Sequence, residues 1–145
     1  MEEEFLAMIE PIVSTKEYRR LKQHRHHIRS NVYDHSVRLA YLCYRHCKRH
    51  NCSAAPEEIV RGALLHDFFL YELHGDTRPP RFHGYRHPRH ALNNAQARFG
   101  ALSRGERDMI LRHMFPVTPI PPKTRAGWLI CFYDKVAAFK DLFGH

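Results

Sequence analysis

Apolar residues recur every three or four positions along most of the chain, which is the spacing of a helix with one buried face. The clearest case is a long helix that begins at Ser30 or Asn31 and extends to about His50. Its inner face is formed by Val32, His35, Leu39, Leu42 and Cys43. No segment shows the alternation typical of a strand, and we find no internal repeat. The pattern therefore predicts an all-α fold built as a single helical bundle.

Capping residues and prolines mark the expected limits of the other helices. A first helix should stop at Pro11, and Ser14 should cap a short second helix, with Glu17 at the capping-box position. Ser53 should start the next helix, with Pro56 just inside it, and Pro88 and Gly100 should be the limits of another helix. Ser103 with Glu106 should form a capping box, and the last helix should cover about 124–142. Loops are expected over 74–88 and 116–122.

Composition is that of one ordinary domain covering residues 1–145. The chain is 43% hydrophobic and 26% charged, and no apolar run is long enough to span a membrane. The first residues are acidic, unlike the start of a signal peptide. The cysteines form no CxxC pair, so we expect reduced thiols and a cytoplasmic protein, with Cys43 and Cys47 as small core residues.

The charge balance points to an anionic partner. The formal net charge is +8, and 13 histidines can add to it below neutral pH. Such a surface attracts nucleotides, nucleic acid or anionic lipid. The densest basic run covers residues 19–29 and is either a solvated face or a nucleic-acid-binding surface. Aromatic residues that would stack on single strands are sparse there, at Tyr18 and Tyr33 only.

Six ionisable residues occupy positions that the apolar faces should fill. Burying such groups is costly unless they are paired or bind a metal, and six of them in one small domain suggest a shared metal site. The combination of nitrogen and oxygen donors suits first-row transition ions or zinc better than calcium. Two ions about 3.5–4 Å apart would suit phosphoester hydrolysis. The six residues are His35, His66, Asp67, His87, His113 and Asp134.

The chain resembles the HD-domain metal-dependent phosphohydrolases, over about residues 20–140. This family has a helical His, a His-Asp doublet, further histidines and a late Asp. The doublet with its preceding Ala-Leu-Leu is the most specific match. The matching stretches are Tyr33-Asp-His35-Ser-Val-Arg-Leu-Ala40, Gly62-Ala-Leu-Leu-His66-Asp67-Phe, His87-Pro-Arg-His-Ala91, Ile110-Leu-Arg-His113 and Asp134-Lys135.

The resemblance implies a role for each of the six residues. His35, His66, Asp67 and Asp134 match the ligands of a first metal ion. In members with two ions, two more histidines take part, here His87 and His113, with Asp67 as the bridge. His87 is preferred to His90 because it precedes the proline that is expected to open a helix. The bound ions are one or two divalent metals, and Fe, Mn, Co, Ni, Zn and Mg are not distinguished.

The resemblance also implies a reaction, namely hydrolysis of a nucleotide or another phosphoester. Asp67 and Lys135 are the expected catalytic residues, and Arg38, Arg86 and Arg89 are expected to bind the phosphate. The chain departs from the family by Phe-Phe-Leu after the doublet and by Met-Phe-Pro after His113. The second departure disfavours the branch that degrades cyclic di-GMP. Two alternatives stay open: a basic nucleic-acid-binding module, and a regulatory HD domain without turnover.

Overall fold

The computed structural model describes residues 2–27, 30–68 and 83–143, and of residues 25–27 and 83–86 it describes the backbone only. Within these ranges the fold is all-α, as predicted, with one small antiparallel ribbon. Its elements in chain order are α1 (Glu3–Val13), α2 (Lys16–Arg19), a 3₁₀ turn (Arg20–Gln23), β1 (Arg25–His27), β2 (Ser30–Asn31), α3 (Val32–His50), α4 (Pro56–Leu65), α5 (His83–Phe99), α6 (Arg104–Arg112) and α7 (Arg125–Phe143).

Helix α3 lies at the centre of the bundle. It packs against α4 and α7, while α6 packs against α4, α5 and α7. The core between these helices contains completely buried aliphatic side chains such as Leu39, Leu64 and Ile110. At Gly62 the helices α4 and α6 come so close that a side chain there would overlap Met109. The apolar faces predicted from the sequence thus meet in one continuous core.

Several predicted helix limits are confirmed. The side chain of Asn31 caps α3 by accepting a hydrogen bond from the Asp34 amide, at 2.7 Å. Ser103 and Glu106 form the capping box of α6. Gly100 follows α5 with a φ of +85°, a conformation that favours glycine over other residues. These helix limits could be predicted from the capping residues and the glycine alone, without knowledge of the tertiary structure.

The predictions based on two prolines were wrong. Helix α1 continues through Pro11 to Val13, and α5 begins at His83 and contains Pro88. A proline inside a helix loses one backbone hydrogen bond. Burial of apolar residues beyond it offsets this loss, at Ile12 and Val13 in α1 and on the inner face of α5. Only residues 83–88 of the expected loop 74–88 can be compared, because residues 69–82 lie outside the described residues.

Two caps were also predicted wrongly, and the short ribbon was not indicated by the sequence. Thr15 rather than Ser14 caps α2, since its hydroxyl oxygen accepts a hydrogen bond from the Tyr18 amide, at 3.3 Å. Helix α4 starts after Ala55 instead of Ser53, since Pro56 has the φ that the first helical position requires. Strands β1 and β2 are too short to produce a detectable alternation.

All four cysteines are free thiols, as the composition suggested. Cys43 and Cys47 are buried in the core. Burial raises the pKa of Cys43 well above its ordinary value and, together with the neighbouring Cys52, raises that of Cys47 to about 12. Both are therefore inert packing residues. Separately, the described part of the chain contains no helix of the length and hydropathy needed to cross a bilayer.

Asp108 fixes the start of α7. Its carboxylate accepts hydrogen bonds from the amides of Lys123 and Thr124, at 3.0 and 2.9 Å, and from the Thr124 hydroxyl, at 2.7 Å. The hydroxyl oxygen of Thr124 in turn accepts a hydrogen bond from the Gly127 amide. This network holds the first turn of α7 against α6. It therefore helps to set the position of the side chains along α7.

Replacing Asp108 with alanine is expected to lower the free energy of unfolding by about 2 kcal/mol, because a cap is lost and amides are left without acceptors. Urea titration followed by circular dichroism measures the change. The exposed neighbour Arg107 provides the control, and Arg107→Ala should change stability by less than about 0.5 kcal/mol. Equal stability of the two variants would contradict this role of Asp108.

Candidate metal centre

The six predicted residues come from five parts of the bundle and meet in one place. His35 lies in the first turn of α3, and His66 and Asp67 follow the end of α4. His87 lies in α5, His113 follows the end of α6, and Asp134 lies within α7. Two helix C-termini therefore end at the cluster, and the partial negative charge of a helix C-terminus favours a cation. Five of the residues are buried, and the side chain of Asp134 is 14% exposed.

The first half of the cluster joins α3, α4 and α7. Nε2 of His35 lies 2.8 Å from Oδ1 of Asp134, and Nε2 of His66 lies 3.4 Å from the same oxygen. Nε2 of His66 is also 3.1 Å from Oδ2 of Asp67. These are the four residues that the family resemblance assigned to a first metal ion. Their donor atoms point towards one another, as a shared centre requires.

The second half of the cluster lies on the other oxygen of Asp67. Oδ1 of Asp67 is 3.1 Å from Nε2 of His87 and 3.2 Å from Nε2 of His113. The two histidine nitrogens are themselves 3.0 Å apart. Asp67 thus stands between His66 on one oxygen and His87 with His113 on the other. His90, the alternative considered from the sequence, is exposed.

Hydrogen bonds on the outer side of the rings determine which nitrogen faces the cluster. Nδ1 of His66 donates to the Ala63 carbonyl at 2.6 Å, and Nδ1 of His113 donates to the Ile110 carbonyl at 2.8 Å. Nδ1 of His35 donates to a carboxylate oxygen of Asp141 at 2.8 Å. In the neutral rings, the lone pair therefore sits on Nε2 and faces the carboxylates. Histidines that ligate metals usually show this arrangement.

The electrostatics of the cluster match a site for a cation. Burial lowers the pKa of His66, but the carboxylates of Asp67 and Asp134 outweigh it and hold that pKa well above its ordinary value. Burial raises the pKa of each carboxyl, yet the surrounding imidazoles hold both pKa values well below the ordinary range. Burial also lowers the pKa of His113, which favours the neutral form of this ring. Ionised carboxylates and a neutral imidazole are the forms that bind metals.

The donor atoms fit one or two metal ions. They form three overlapping groups in which the atoms lie within 4.8 Å of one another: His35, His66 and Asp67; His66, His113 and Asp134; and Asp67, His87 and His113. Nε2 of His66 is buried and makes no hydrogen bond of good geometry, although carboxylate oxygens lie near it. A lone pair that faces carboxylates needs a positive charge between them, either a proton or a metal ion. None of the three groups contains a cysteine, which leaves a nitrogen and oxygen donor set.

Asp141 belongs to the site but was missed by the sequence reasoning. Its carboxylate is buried, accepts a hydrogen bond from Nδ1 of His35 and forms an ion pair with Arg38. A signal was present, because Asp141 lies seven residues after Asp134 and so two turns along the same face of α7. Its partner on α3 could not be inferred from the sequence. The carboxylate holds the ring of His35 in the orientation that presents Nε2 to the cluster.

Replacing Asp141 with alanine is expected to weaken metal binding by about 10- to 100-fold, the usual effect of removing a carboxylate that orients a ligating histidine. Titration of the metal-free protein with Zn²⁺ or Mn²⁺, followed by calorimetry, measures the affinity. Asp141→Asn should retain most of the affinity, because the amide oxygen can still accept the hydrogen bond from His35. If Asp141→Ala binds metal like the parent, Asp141 has no orienting role.

The predicted substrate-binding arginines and the predicted catalytic lysine differ in their exposure and in their contacts. Arg38 forms the ion pair with Asp141, and its side chain is 43% exposed. Arg89 is exposed two residues after His87. The side chain of Arg86 lies outside the described residues. The ammonium of Lys135 donates to the backbone carbonyl of His113, which is one of the cluster residues, and to that of Cys131, at 3.4 and 3.2 Å.

Comparison with known proteins agrees with the geometry. The family model for the HD domain matches residues 32–138, which includes all six clustered residues. No curated protein and no solved structure matches the chain. Members of this family are generally metal-dependent hydrolases that bind divalent ions through such His and Asp residues. The match covers well over half of the sequence, and on this evidence the chain belongs to the HD-domain family.

Proposed function

We propose that the protein is a phosphohydrolase that uses one or two divalent metal ions to cleave a nucleotide or another phosphoester. The observation that carries this proposal is the position of Asp67 between two groups of imidazoles. His66, which is linked to His35 through Asp134, lies on one oxygen of the carboxylate, and His87 and His113 lie on the other. A binding site for a single structural ion would not need a second group of histidines on the far oxygen.

The chain's own residues have distinct tasks in this proposal. The six clustered residues would hold the ions, and Asp67 would be shared between them. Divalent ions held by such residues supply an acidified water and offset negative charge on a phosphate. The carbonyls of Ala63 and Ile110 and the carboxylate of Asp141 keep the histidine rings in place before substrate arrives. Such preorganisation lowers the cost of assembling the site during the reaction.

An anionic substrate agrees with the charge of the chain. The net charge is +8, and Arg89 is exposed close to His87 on α5. Its guanidinium suits the oxygens of a phosphate. Arg86 and Arg38 remain candidates for binding the phosphate. Arg38 would bind it through the guanidinium N–H groups that do not pair with Asp141. Lys135 as a catalytic group would have to give up its bonds to backbone carbonyls.

The test combines metal analysis with a hydrolysis screen. Purified protein is analysed for bound metals and is then supplied with Mn, Fe, Co, Ni, Mg or Zn together with a panel of nucleotides and other phosphoesters. Release of phosphate or of a nucleoside by the metal-loaded protein alone supports the proposal. Stoichiometric metal without turnover on any substrate contradicts it and favours a regulatory HD domain. Salt-sensitive binding of RNA or DNA without a metal would favour the binding module instead.

Removal of metal is expected to lower the melting temperature while the helices remain. Binding to the folded state alone adds about 2.7 kcal/mol of stability when the free metal is at a hundred times its Kd. The apolar core extends well beyond the cluster, to Phe5 and Ile9 of α1, so it should hold the bundle together without metal. Thermal melts by circular dichroism with and without a chelator measure both effects. Complete unfolding on chelation would indicate a structural ion rather than a catalytic one.

A further inference from the structure

The outer face of α7 carries a row of apolar side chains that the metal centre does not use. These side chains are between 47% and 64% exposed. The opposite face of the same helix carries Asp134 and Asp141 and packs into the bundle. A helix that is apolar on both faces is normally covered on both. The exposed row, here called the outer stripe, consists of Trp128, Phe132, Phe139, Leu142 and Phe143.

The outer stripe has two apolar parts, Trp128 with Phe132 and Phe139 with Leu142 and Phe143, on either side of the exposed Lys135. At 100° per residue its members fall within an arc of about 100°, and at 1.5 Å per residue they span roughly 22 Å. The rings of Phe139 and Phe143 are in contact, with their centroids 4.5 Å apart. Exposed apolar patches of this kind generally mark a surface that another molecule covers.

The spacing of the aromatic residues identifies the partner. Along the helix the intervals between Trp128, Phe132, Phe139 and Phe143 are four, seven and four residues, which read the same in both directions. A two-fold axis that crosses α7 between Lys135 and Val136 would therefore place each aromatic residue opposite another one. Trp128 would face Phe143 of the second copy, and Phe132 would face Phe139 of the second copy. We propose that two copies of this chain pair through α7 in an antiparallel, two-fold symmetric dimer.

The available area is sufficient for such a dimer. An aromatic side chain brings about 150–250 Å² to a contact, so four half-exposed rings and Leu142 offer roughly 500 Å² per copy. Two copies then bury up to roughly 1,000 Å², which is the lower limit for a specific interface. A symmetric pair also uses the same patch on both chains, as the commonest protein dimers do. Antiparallel helices further place their dipoles in the favourable relative orientation.

Charge opposes this contact rather than driving it. Lys135 lies near the proposed axis, but its ammonium contacts the carbonyls of His113 and Cys131 in its own chain. Each chain carries a net charge of +8, so two copies repel each other at long range. Salt screens that repulsion and does not weaken apolar contacts. Dimerisation should therefore become stronger as the salt concentration rises, which is opposite to the behaviour of polyanion binding.

Sedimentation velocity of the full chain over a range of concentrations and salts tests the proposal. The parent protein should sediment as a dimer, and Phe139→Glu should weaken the dimer by at least about 100-fold, or 2.7 kcal/mol. Leu6→Glu is the matched control, because Leu6 is a comparably exposed apolar residue on α1. Circular dichroism should show native helicity in both variants, since both side chains are exposed. A monomeric parent, or equal loss of the dimer in both variants, would overturn the proposal.

Cross-linking tests the register of the two helices. Phe132→Cys and Phe139→Cys proteins are prepared separately and are oxidised alone or mixed. In the antiparallel pairing, residue 132 faces residue 139 of the other copy, while two copies of residue 132 are offset by about 10 Å along the axis, which exceeds the reach of a disulfide. The mixture should give a covalent dimer beyond the background of the parent and of each variant alone. Cross-linking that is equal in all samples would overturn this register.

Discussion

The Asp67→Ala protein is expected to release phosphate at least about 1,000-fold more slowly than the parent, because one carboxylate serves both halves of the metal centre. One oxygen of Asp67 faces His66, and the other faces His87 and His113. Its removal should therefore weaken binding of every ion at the site, and not only of one. Metal analysis of the purified variant and phosphate release at saturating metal measure the two losses.

Two further variants make this result interpretable. Asp67→Asn retains the shape of the side chain and its hydrogen-bonding capacity, so it should remain folded while it loses activity. Arg19→Ala changes an exposed residue of the basic segment and should at most weaken substrate capture. If Asp67→Asn folds, retains its metals and still turns over substrate, Asp67 is not the shared ligand that the geometry suggests.

Replacing His87 with alanine is expected to remove one ion and leave the other, with a loss of phosphate release of at least about 100-fold. His87 lies with His113 on one oxygen of Asp67, whereas His66 lies on the other oxygen. The ligands of the first group remain complete in this variant. Metal stoichiometry, measured by elemental analysis after dialysis, should fall by one ion per chain in a protein that normally holds two.

His90 provides a matched control for this experiment. It lies three residues after His87 on the same helix, but it is exposed whereas His87 is buried. His90→Ala should therefore retain both ions and most of the activity. The opposite pattern, with His90→Ala losing an ion and His87→Ala retaining it, would show that the second group of ligands has been assigned to the wrong residue.

The helical fold and the cluster were accessible from sequence because their signals are local. The spacing of Val32, Leu39 and Cys43 defines a buried face, and a histidine on that face must point into the core. The chain position of Pro11 and Pro88 was a weaker guide, because burial of the residues beyond a proline depends on the rest of the fold. Helix limits near prolines were therefore the part of the fold that local rules predicted least well.

The partners of individual side chains could not be inferred in the same way. Asp141 contacts His35 across 106 positions of sequence, and no local pattern encodes that pairing. Lys135 was assigned to the site because it adjoins Asp134. Adjacent residues on a helix diverge by about 100°, however, so the neighbour of an inward residue points elsewhere. The ammonium accordingly contacts backbone carbonyls.

The long sequence separation within the cluster has a consequence for the order of folding. His35 and Asp134 are 99 positions apart, and the other residues of the cluster lie between them in the chain. Closing so large a loop requires a loss of conformational entropy, and this loss precedes the convergence of the donor atoms. The complete ligand set is therefore assembled late, when α7 docks on α3. An ion that binds there would slow unfolding of the finished bundle without accelerating its formation.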